Sequence, residues 1–277
     1  MATPTPTPTP PTQTPTLINS LPAIQAFLSS LPASGSTLFL DLEGKNLSRH
    51  GTLSLLTIHV LPTKTTSIID VQTLSQSAFT TSVSNGSGRT LKTILEDPHI
   101  PKYFWDVRND ADALFSHHRV RLQGVTDIQL LENATRVGGD RTYLNGLDKC
   151  VRQDLRLSYN EARRWATVKE GVKRLMNVPN QTDNIFTRRP LDEKTVRYCV
   201  NDVVYLPKLY ALYKKRINGV WLQKVMDESG RRVVEACSAG YEPHSEKKKF
   251  GPWGAELGGR KMTMWEWIDN MDDEFRY

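Results

Sequence analysis

The sequence has few cysteines and no long apolar run, and both features restrict the class of protein it can encode. Its three cysteines, Cys150, Cys199 and Cys237, are widely spaced and odd in number, which is typical of neither a zinc site nor a disulfide framework. No apolar run approaches the roughly 18 residues that a membrane helix needs. We therefore expect a protein of a reducing compartment that has no membrane partner.

Targeting signals are also missing. The N-terminal residues contain no basic region followed by an apolar core, as a secretory signal requires, and the first arginine is Arg49. A mitochondrial presequence is normally rich in arginine. We expect an intracellular protein, nuclear or cytoplasmic, without a secretory signal.

Positive charge is in excess. The 36 Lys and Arg residues outnumber the 30 Asp and Glu residues, which gives a formal net charge of +6. This balance permits a polyanionic partner such as nucleic acid. Hydrophobic residues make up 38% of the 277 positions, which is enough for one large domain with extensions.

Composition divides the chain into three parts. Residues 1–16 repeat Thr and Pro and are expected to form a disordered tail, because proline favours extended polyproline II. Residues 17–222 carry the apolar patterns of a folded domain. Residues 223–277 lead into a charged, glycine-containing segment that we interpret as a C-terminal extension.

The domain is predicted to be α/β. Three apolar runs, "STLFLDLEG", "GTLSLLTIHVL" and "TTSIIDV", predict strands, and strand-like and helical segments alternate after them. This order indicates a mixed β-sheet flanked by helices. We expect Asn19 or Ser20 to cap the first helix, and Asp70, Asp106 and Asp127 to cap the helices that follow them.

Two acids end the first of these strands. Asp41 and Glu43 are two residues apart, so both side chains point to the same face of the strand. Neighbouring carboxylates repel and need a shared proton, a cationic neighbour or a metal ion. The alternative is that both acids are solvated at an exposed strand end.

Two later segments supply further acids. In "YCVNDVVYL", Tyr198 and Asp202 are four residues apart and lie on one helical face. In "DVRNDADAL", Asp110 falls at the margin of the helical face turned toward the sheet, whereas Asp112 points elsewhere. Mg²⁺ takes oxygen ligands, so acids that converge on Asp41 and Glu43 could complete a metal site.

The three acidic motifs, taken in order, resemble the RNase D and Werner-type 3′–5′ exonuclease family, the tyrosine subclass of the DEDD exonucleases. The resemblance covers about residues 20–220 and includes "TRRPLDEKTVRYCVNDVVYL". The sequence is most similar to exonuclease-domain proteins that carry "DVRNDADAL". The histidine subclass has its histidine five residues before the last Asp, where this sequence has Arg197.

The resemblance implies an RNase H-like fold and a two-metal-ion site. Asp41, Glu43 and Asp202 would ligate one Mg²⁺ or Mn²⁺ ion, and Asp41 would bridge to a second ion held by Asp110. Tyr198 would orient the attacking water. The expected reaction is metal-dependent hydrolysis of the terminal phosphodiester at the 3′ end of single-stranded RNA or DNA, with release of nucleoside 5′-monophosphates.

Basic residues are candidates for nucleic-acid contacts. Lys45 lies two residues after Glu43, and Arg188 and Arg189 directly precede the helix of Tyr198. Each could contact a phosphate, although a solvated side chain is an open alternative for Lys45.

A further helix, "SYNEARRWATVKEGVKRL", is amphipathic. We expect Trp165, Val168, Val172 and Leu175 to form its packed stripe and Lys169 to lie on the solvated remainder.

A second function is compatible with the same motifs. The chain could be a nucleic-acid-binding scaffold that retains the exonuclease fold without catalysis. The intact acids favour the enzyme. The choice between RNA and DNA is open, because discrimination rests on contacts to the 2′-hydroxyl.

Overall fold

The computed structural model describes residues 14–32, 34–83, 88–136, 138, 140–176 and 184–254. Most of the Thr-Pro tail (1–13) and the last part of the C-terminal extension (255–277) lie outside these described residues. The strands are β1 Thr16–Ile18, β2 Thr37–Glu43, β3 Leu55–Leu61, β4 Thr65–Asp70, β5 Lys102–Phe104 and β6 Val125–Asp127. The helices are α1 Leu21–Ser30, α2 Val71–Leu74, α3 Ser77–Thr80, α4 Leu91–Glu96, α5 Arg108–His118, α6 Ile128–Ala134, α7 Leu147–Gln153, α8 Tyr159–Met176, α9 Glu193–Val204, α10 Leu206–Lys214 and α11 Gly219–Ala236.

The described strands form one mixed sheet in the order β1-β4-β3-β2-β5-β6. Strands β2, β3 and β4 are antiparallel neighbours. Strands β5 and β6 continue from β2 in parallel, and β1 adds to β4 in parallel. The predicted α/β class, a mixed sheet between helices, is confirmed.

Side-chain alternation along β2 separates the core from the acids. Leu38, Leu40 and Leu42 point into a large apolar core on one face of the sheet. Phe39 packs on the other face, and Asp41 and Glu43 share that face because their positions differ from Phe39 by two and four. Six of the seven residues of β3 are buried, so β2 is supported along its whole length.

A close backbone contact fixes the turn after β2. Gly44 follows Glu43 directly, and a Cβ atom at this position would lie 1.9 Å from the carbonyl oxygen of Thr52. Only glycine fits here, which lets the chain turn tightly at the end of β2. The Ser54 N–H then donates to the Glu43 carbonyl at 2.8 Å.

Side-chain caps define several helix starts. Ser20 caps α1 by accepting from the Ala23 N–H, as the sequence predicts. Asp192 caps α9 by accepting from the Thr195 N–H at 2.9 Å. Helix α9 then crosses β2, β3 and β4, and α8 packs on α9.

Within the described part of the chain, none of the helices combines the length and the hydropathy that spanning a membrane requires.

The described residues beyond 222, up to residue 254, pack against the domain. Helix α11, which spans the boundary drawn from composition, packs on α5, α6 and β6. After it, the Tyr241 hydroxyl donates to Asn109 Oδ1 at 2.9 Å, and the Gly251 N–H donates to the Thr142 carbonyl at 2.8 Å. The described part of the C-terminal segment therefore packs beside the first turn of α5.

An ion pair joins the end of β4 to the segment before α9. Asp70 caps α2 through the Thr73 N–H at 2.9 Å, as predicted, and its carboxylate accepts from Arg189 through two bonds of 2.6 Å. Two further N–H groups of Arg189 donate to the Phe186 and Arg188 carbonyls. Four of the five guanidinium N–H groups are thus used inside the protein, and Arg189 anchors the approach to α9.

Replacing Arg189 by Met should lower the free energy of unfolding at neutral pH by about 3 kcal/mol, because the Asp70 carboxylate would be left buried without its partner. The hydrogen bonds from Arg189 lower the pKa of Asp70 below its ordinary value of 3.8 against the effect of burial. The ion pair therefore stabilises the folded protein above about pH 3.8, the ordinary pKa of the group. This stabilisation is lost as the pH falls through the lowered pKa of Asp70. Urea unfolding across the acid range measures the difference between the variants.

Arg197→Met is the matched control, since Arg197 pairs with Glu193 at an exposed site. It should change the unfolding free energy by less than about 1 kcal/mol. Equal effects of the two substitutions at neutral pH would contradict an anchoring role for Arg189.

Candidate active site

Three carboxylates converge where β2 meets α9. The ligand oxygens of Asp41, Glu43 and Asp202 lie within 4.8 Å of one another. Asp202 is 5% exposed, and Asp41 and Glu43 are partly buried. Asp41 and Glu43 point to the same face of β2, and α9 lies across that face and brings Asp202 to them.

Asp110 approaches the same strand from α5. It lies in the first turn of that helix and is 6% exposed. Its Oδ1 accepts from the Leu42 N–H at 3.1 Å, and Leu42 lies between Asp41 and Glu43 in β2. The hydrogen bond holds Asp110 beside the strand end that carries the other acids.

The turn before α5 sets the position of Asp110. Asp106 has a left-handed backbone, with φ of +60°, and its carboxylate pairs with Arg108 at 2.5 Å. Asp127 accepts from the Asp106 N–H at 2.9 Å and from the Val107 N–H at 3.1 Å. The prediction that Asp106 caps α5 is wrong, because among the described residues no side chain caps the start of this helix and the Asp106 carboxylate pairs with Arg108 instead.

Asp127 also performs the role predicted for it. Its Oδ1 accepts from the Gln129 N–H at 3.0 Å and caps α6. The carboxylate is fully buried and pairs with Arg232 at 2.7 Å. One acid thus connects α6, α11 and the turn before α5.

Burial and mutual repulsion raise the pKa values of the converging acids. Burial and then the charge of Asp202 raise the pKa of Asp41 from 3.8 to about 7. The pKa values of Glu43 and Asp110 rise well above their ordinary values, because burial and the charge of Asp41 oppose ionisation. Burial also raises the pKa of Asp202. A cation bound among these acids would offset their mutual repulsion.

Lys169 is the site residue that sequence reasoning missed. Its ammonium forms an ion pair with Asp202, although the sequence analysis placed it on the solvated face of α8. The signal was present in the spacing, since Lys169 is four residues after Trp165 and three before Val172, and both of these residues are 1% exposed. Lysine at such a position can bury its stem and direct its charge to an acid.

Tyr198 lies one helical turn before Asp202 and contacts the same lysine. The Lys169 Nζ is 4.3 Å from the centroid of the Tyr198 ring. Burial, with the charges of Asp202 and Glu43, raises the pKa of the Tyr198 hydroxyl. Tyr198 therefore stays a neutral phenol, which can donate and accept hydrogen bonds.

The predicted nucleic-acid contacts differ in their accessibility. Lys45 and Arg188 are exposed residues. Arg189 instead uses most of its donors on Asp70 and backbone carbonyls.

Asp112 lies apart from the converging acids, as predicted. It is fully buried and pairs with Arg49 at 2.7 Å, and it also accepts from the Arg49 N–H at 2.8 Å. This acid therefore connects α5 to the loop that follows β2.

A second group of potential ligands consists of Glu132, Cys150 and Asp154. Glu132 pairs with Arg136 at 2.6 Å, and Asp154 accepts from the Tyr213 hydroxyl at 2.6 Å. The two carboxylates of this second group therefore already have partners, whereas the acids around Asp41 carry an excess of negative charge.

Comparisons with known proteins show the family and the fold of the chain. A family model described as 3′–5′ exonuclease matches residues 18–218. No curated protein matches the chain. RNase D from Trypanosoma brucei in complex with RNA U12 is a similar solved structure, with a TM-score of 0.65 and 17% identity over 94% of this chain and 79% of that one.

Two other solved structures share the fold. The catalytic core of RRP6 from Trypanosoma brucei has a TM-score of 0.55 and 16% identity, over 79% of this chain and 51% of that one. Escherichia coli RNase D has a TM-score of 0.53 and 19% identity, over 81% of this chain and 51% of that one. The family match spans most of the 277 residues, and it includes β2, α5 and α9 with their acids. The chain therefore belongs to the 3′–5′ exonuclease family and carries an RNase D-like exonuclease domain.

Proposed function

We propose that this protein is a metal-dependent exonuclease that hydrolyses the terminal phosphodiester at the 3′ end of single-stranded RNA or DNA and releases nucleoside 5′-monophosphates. The observation that carries the proposal is the convergence of Asp41, Glu43 and Asp202 within 4.8 Å, with Tyr198 one turn away, in a chain of the 3′–5′ exonuclease family. Trypanosoma brucei RNase D, which shares the fold, was solved with an RNA, and this supports a nucleic-acid substrate.

The donor set fits Mg²⁺ or Mn²⁺. These ions bind carboxylate oxygens, and among the described residues the cluster contains three carboxylates beside the ammonium of Lys169. Asp41, Glu43 and Asp202 would hold one ion, and Asp110 would hold a second with Asp41. When bound, such ions activate water and stabilise the charge that develops at phosphorus.

The chain's own residues position the reactants. Tyr198 remains protonated, because its pKa is raised, so we assign it the orientation of the attacking water by hydrogen bonding. It does not remove the proton from that water. Asp110, fixed by the Leu42 N–H, keeps its carboxylate at the end of β2. Lys45 and Arg188, which are exposed, are the proposed contacts to phosphates of the strand.

The proposed activity is tested with 5′-labelled single-stranded RNA and DNA and Mn²⁺ or Mg²⁺. The wild-type protein should shorten the strand from its 3′ end and release nucleoside 5′-monophosphates, and EDTA should stop the reaction. Asp41→Asn should lower the rate at least about a hundredfold, because it removes a ligand that both ions would share. Their stabilisation of the transition state is worth several kcal/mol.

Asp227→Asn is the matched control, since Asp227 is an exposed acid of α11 and should keep full activity. Intact wild-type substrate in every lane would contradict the proposal. A gel shift on the same uncleaved strands would then favour a nucleic-acid-binding scaffold.

Tyr198→Phe should lower kcat by about a hundredfold and change KM by less than about twofold, because the hydroxyl acts on the water and not on substrate binding. Steady-state kinetics on a short oligonucleotide give both constants. Tyr159→Phe, at a side chain that is 78% exposed, should match the wild type. An unchanged kcat for Tyr198→Phe would exclude the role assigned to this hydroxyl.

Asp41→Asn should also stabilise the metal-free protein. The raised pKa of Asp41, about 7 against 3.8, means that the folded state binds more protons than the unfolded state between these values. Stability therefore falls as the pH rises from about 4 to about 7 in the wild type. An asparagine at this position has no proton to lose, so the stability of the variant should not fall in this way. Its Tm in EDTA should be higher than that of the wild type by at least about 2 °C at mildly alkaline pH.

The gain should disappear at low pH, where the aspartate is protonated. Thermal melts in EDTA across this pH range measure the effect, with Asp227→Asn as the variant expected to show no gain. A lower Tm for Asp41→Asn at mildly alkaline pH would indicate that Asp41 serves the fold.

A further inference from the structure

Lys169 lies where a cation is needed. Its ammonium pairs with Oδ1 of Asp202, one of the three carboxylates whose ligand oxygens lie within 4.8 Å of one another. The lysine side chain is 19% exposed and the Asp202 side chain 7% exposed. The pair is therefore largely shielded from water, which strengthens the electrostatic interaction between its members.

The surroundings of Lys169 provide a second favourable position for its charge. The Nζ lies 4.3 Å from the centroid of the Tyr198 ring and 5.2 Å from that of Trp165. Aromatic faces attract an ammonium at such distances. The buried side chains of Trp165 and Val172 hold α8 in place, and the flexible stem of lysine allows the ammonium to move without movement of the helix.

A divalent ion and this ammonium compete for the same carboxylate. The metal ion binds carboxylate oxygens, and the ammonium already lies beside Oδ1 of Asp202. Two cations beside one carboxylate group repel each other. Because the carboxylate has a second oxygen, this repulsion, and not a shortage of lone pairs, drives the ammonium away from Oδ1 when a metal ion binds.

We propose that Lys169 is an internal counterion that holds the acid cluster together in the metal-free protein and is displaced from Asp202 when the metal ion binds. Metal binding is then an exchange of one cation for another, and Lys169 sets the metal concentration at which the exchange occurs. This inference rests on the proposed function, because it requires that the cluster bind a metal ion.

The exchange predicts that Lys169→Met binds Mn²⁺ more tightly than the wild type. We expect the Kd to fall about tenfold at mildly alkaline pH, because the ion no longer displaces a charge-assisted partner of Asp202. Isothermal titration with Mn²⁺ alone, without nucleic acid, measures this directly. Lys173→Met, four residues along the same helix and exposed, is the matched control and should keep the wild-type Kd.

The same variant should be less stable without metal. Loss of the ammonium leaves the carboxylates without their counterion, so Lys169→Met should have a lower Tm than the wild type in EDTA. Saturating Mn²⁺ should reduce this difference or remove it. Should Lys169→Met fail to fold without metal, Lys169→Gln gives the same comparison, since its amide donates hydrogen bonds without a charge.

The outcomes separate this inference from the proposed function. Wild-type protein that binds no Mn²⁺ would overturn both. Wild-type binding that is lost in Asp41→Asn, together with an equal or weaker affinity in Lys169→Met, would leave the proposed metal site intact and overturn the counterion role. Tighter binding in Lys169→Met, with wild-type affinity in Lys173→Met, supports the exchange.

Discussion

Repulsion between carboxylates at the end of one strand is the constraint on which the rest of the site depends. Alternation along β2 places Asp41 and Glu43 on one face, and α9 brings Asp202 to them within 4.8 Å. Burial adds to the cost of ionising each acid. The pairing of β2 with β3 and the packing of α9 across the sheet hold the three acids together against this repulsion.

Two buried acids outside this group, Asp70 and Asp112, each have a dedicated basic partner. Asp70 pairs with Arg189 at 2.6 Å, and Asp112 pairs with Arg49 at 2.7 Å. These pairs join separate segments and leave no excess charge. Among the described residues, the group around Asp41 differs because three acids share the ammonium of Lys169, and such a local excess of negative charge favours a bound cation over a structural ion pair.

Much of the site could be predicted from local spacing. The shared face of Asp41 and Glu43 follows from strand geometry alone, and the shared face of Tyr198 and Asp202 follows from helix geometry alone. Lys169 had the same kind of signal, because its spacing from Trp165 and Val172 places it on the packed stripe of α8. The charge of a lysine favours a solvated position, although its stem can be buried when its ammonium reaches an acid.

The features that the sequence did not reveal depend on contacts between distant segments. The three-residue strand β1 exists through its pairing with β4, and the Asp106 N–H donates to Asp127, 21 residues later. The ion pair between Asp70 and Arg189 joins residues that are 119 positions apart in the sequence. No local pattern encodes such partners, so composition and periodicity predict the elements better than their connections.

The central claim, that the converging acids form a metal site, is tested most directly by anomalous diffraction from a crystal soaked in Mn²⁺. The account predicts a peak bounded by Asp41, Glu43 and Asp202, with the Lys169 ammonium withdrawn from Asp202, and a second peak between Asp41 and Asp110. Absence of any peak at these carboxylates, with the lysine still paired to Asp202, would contradict it.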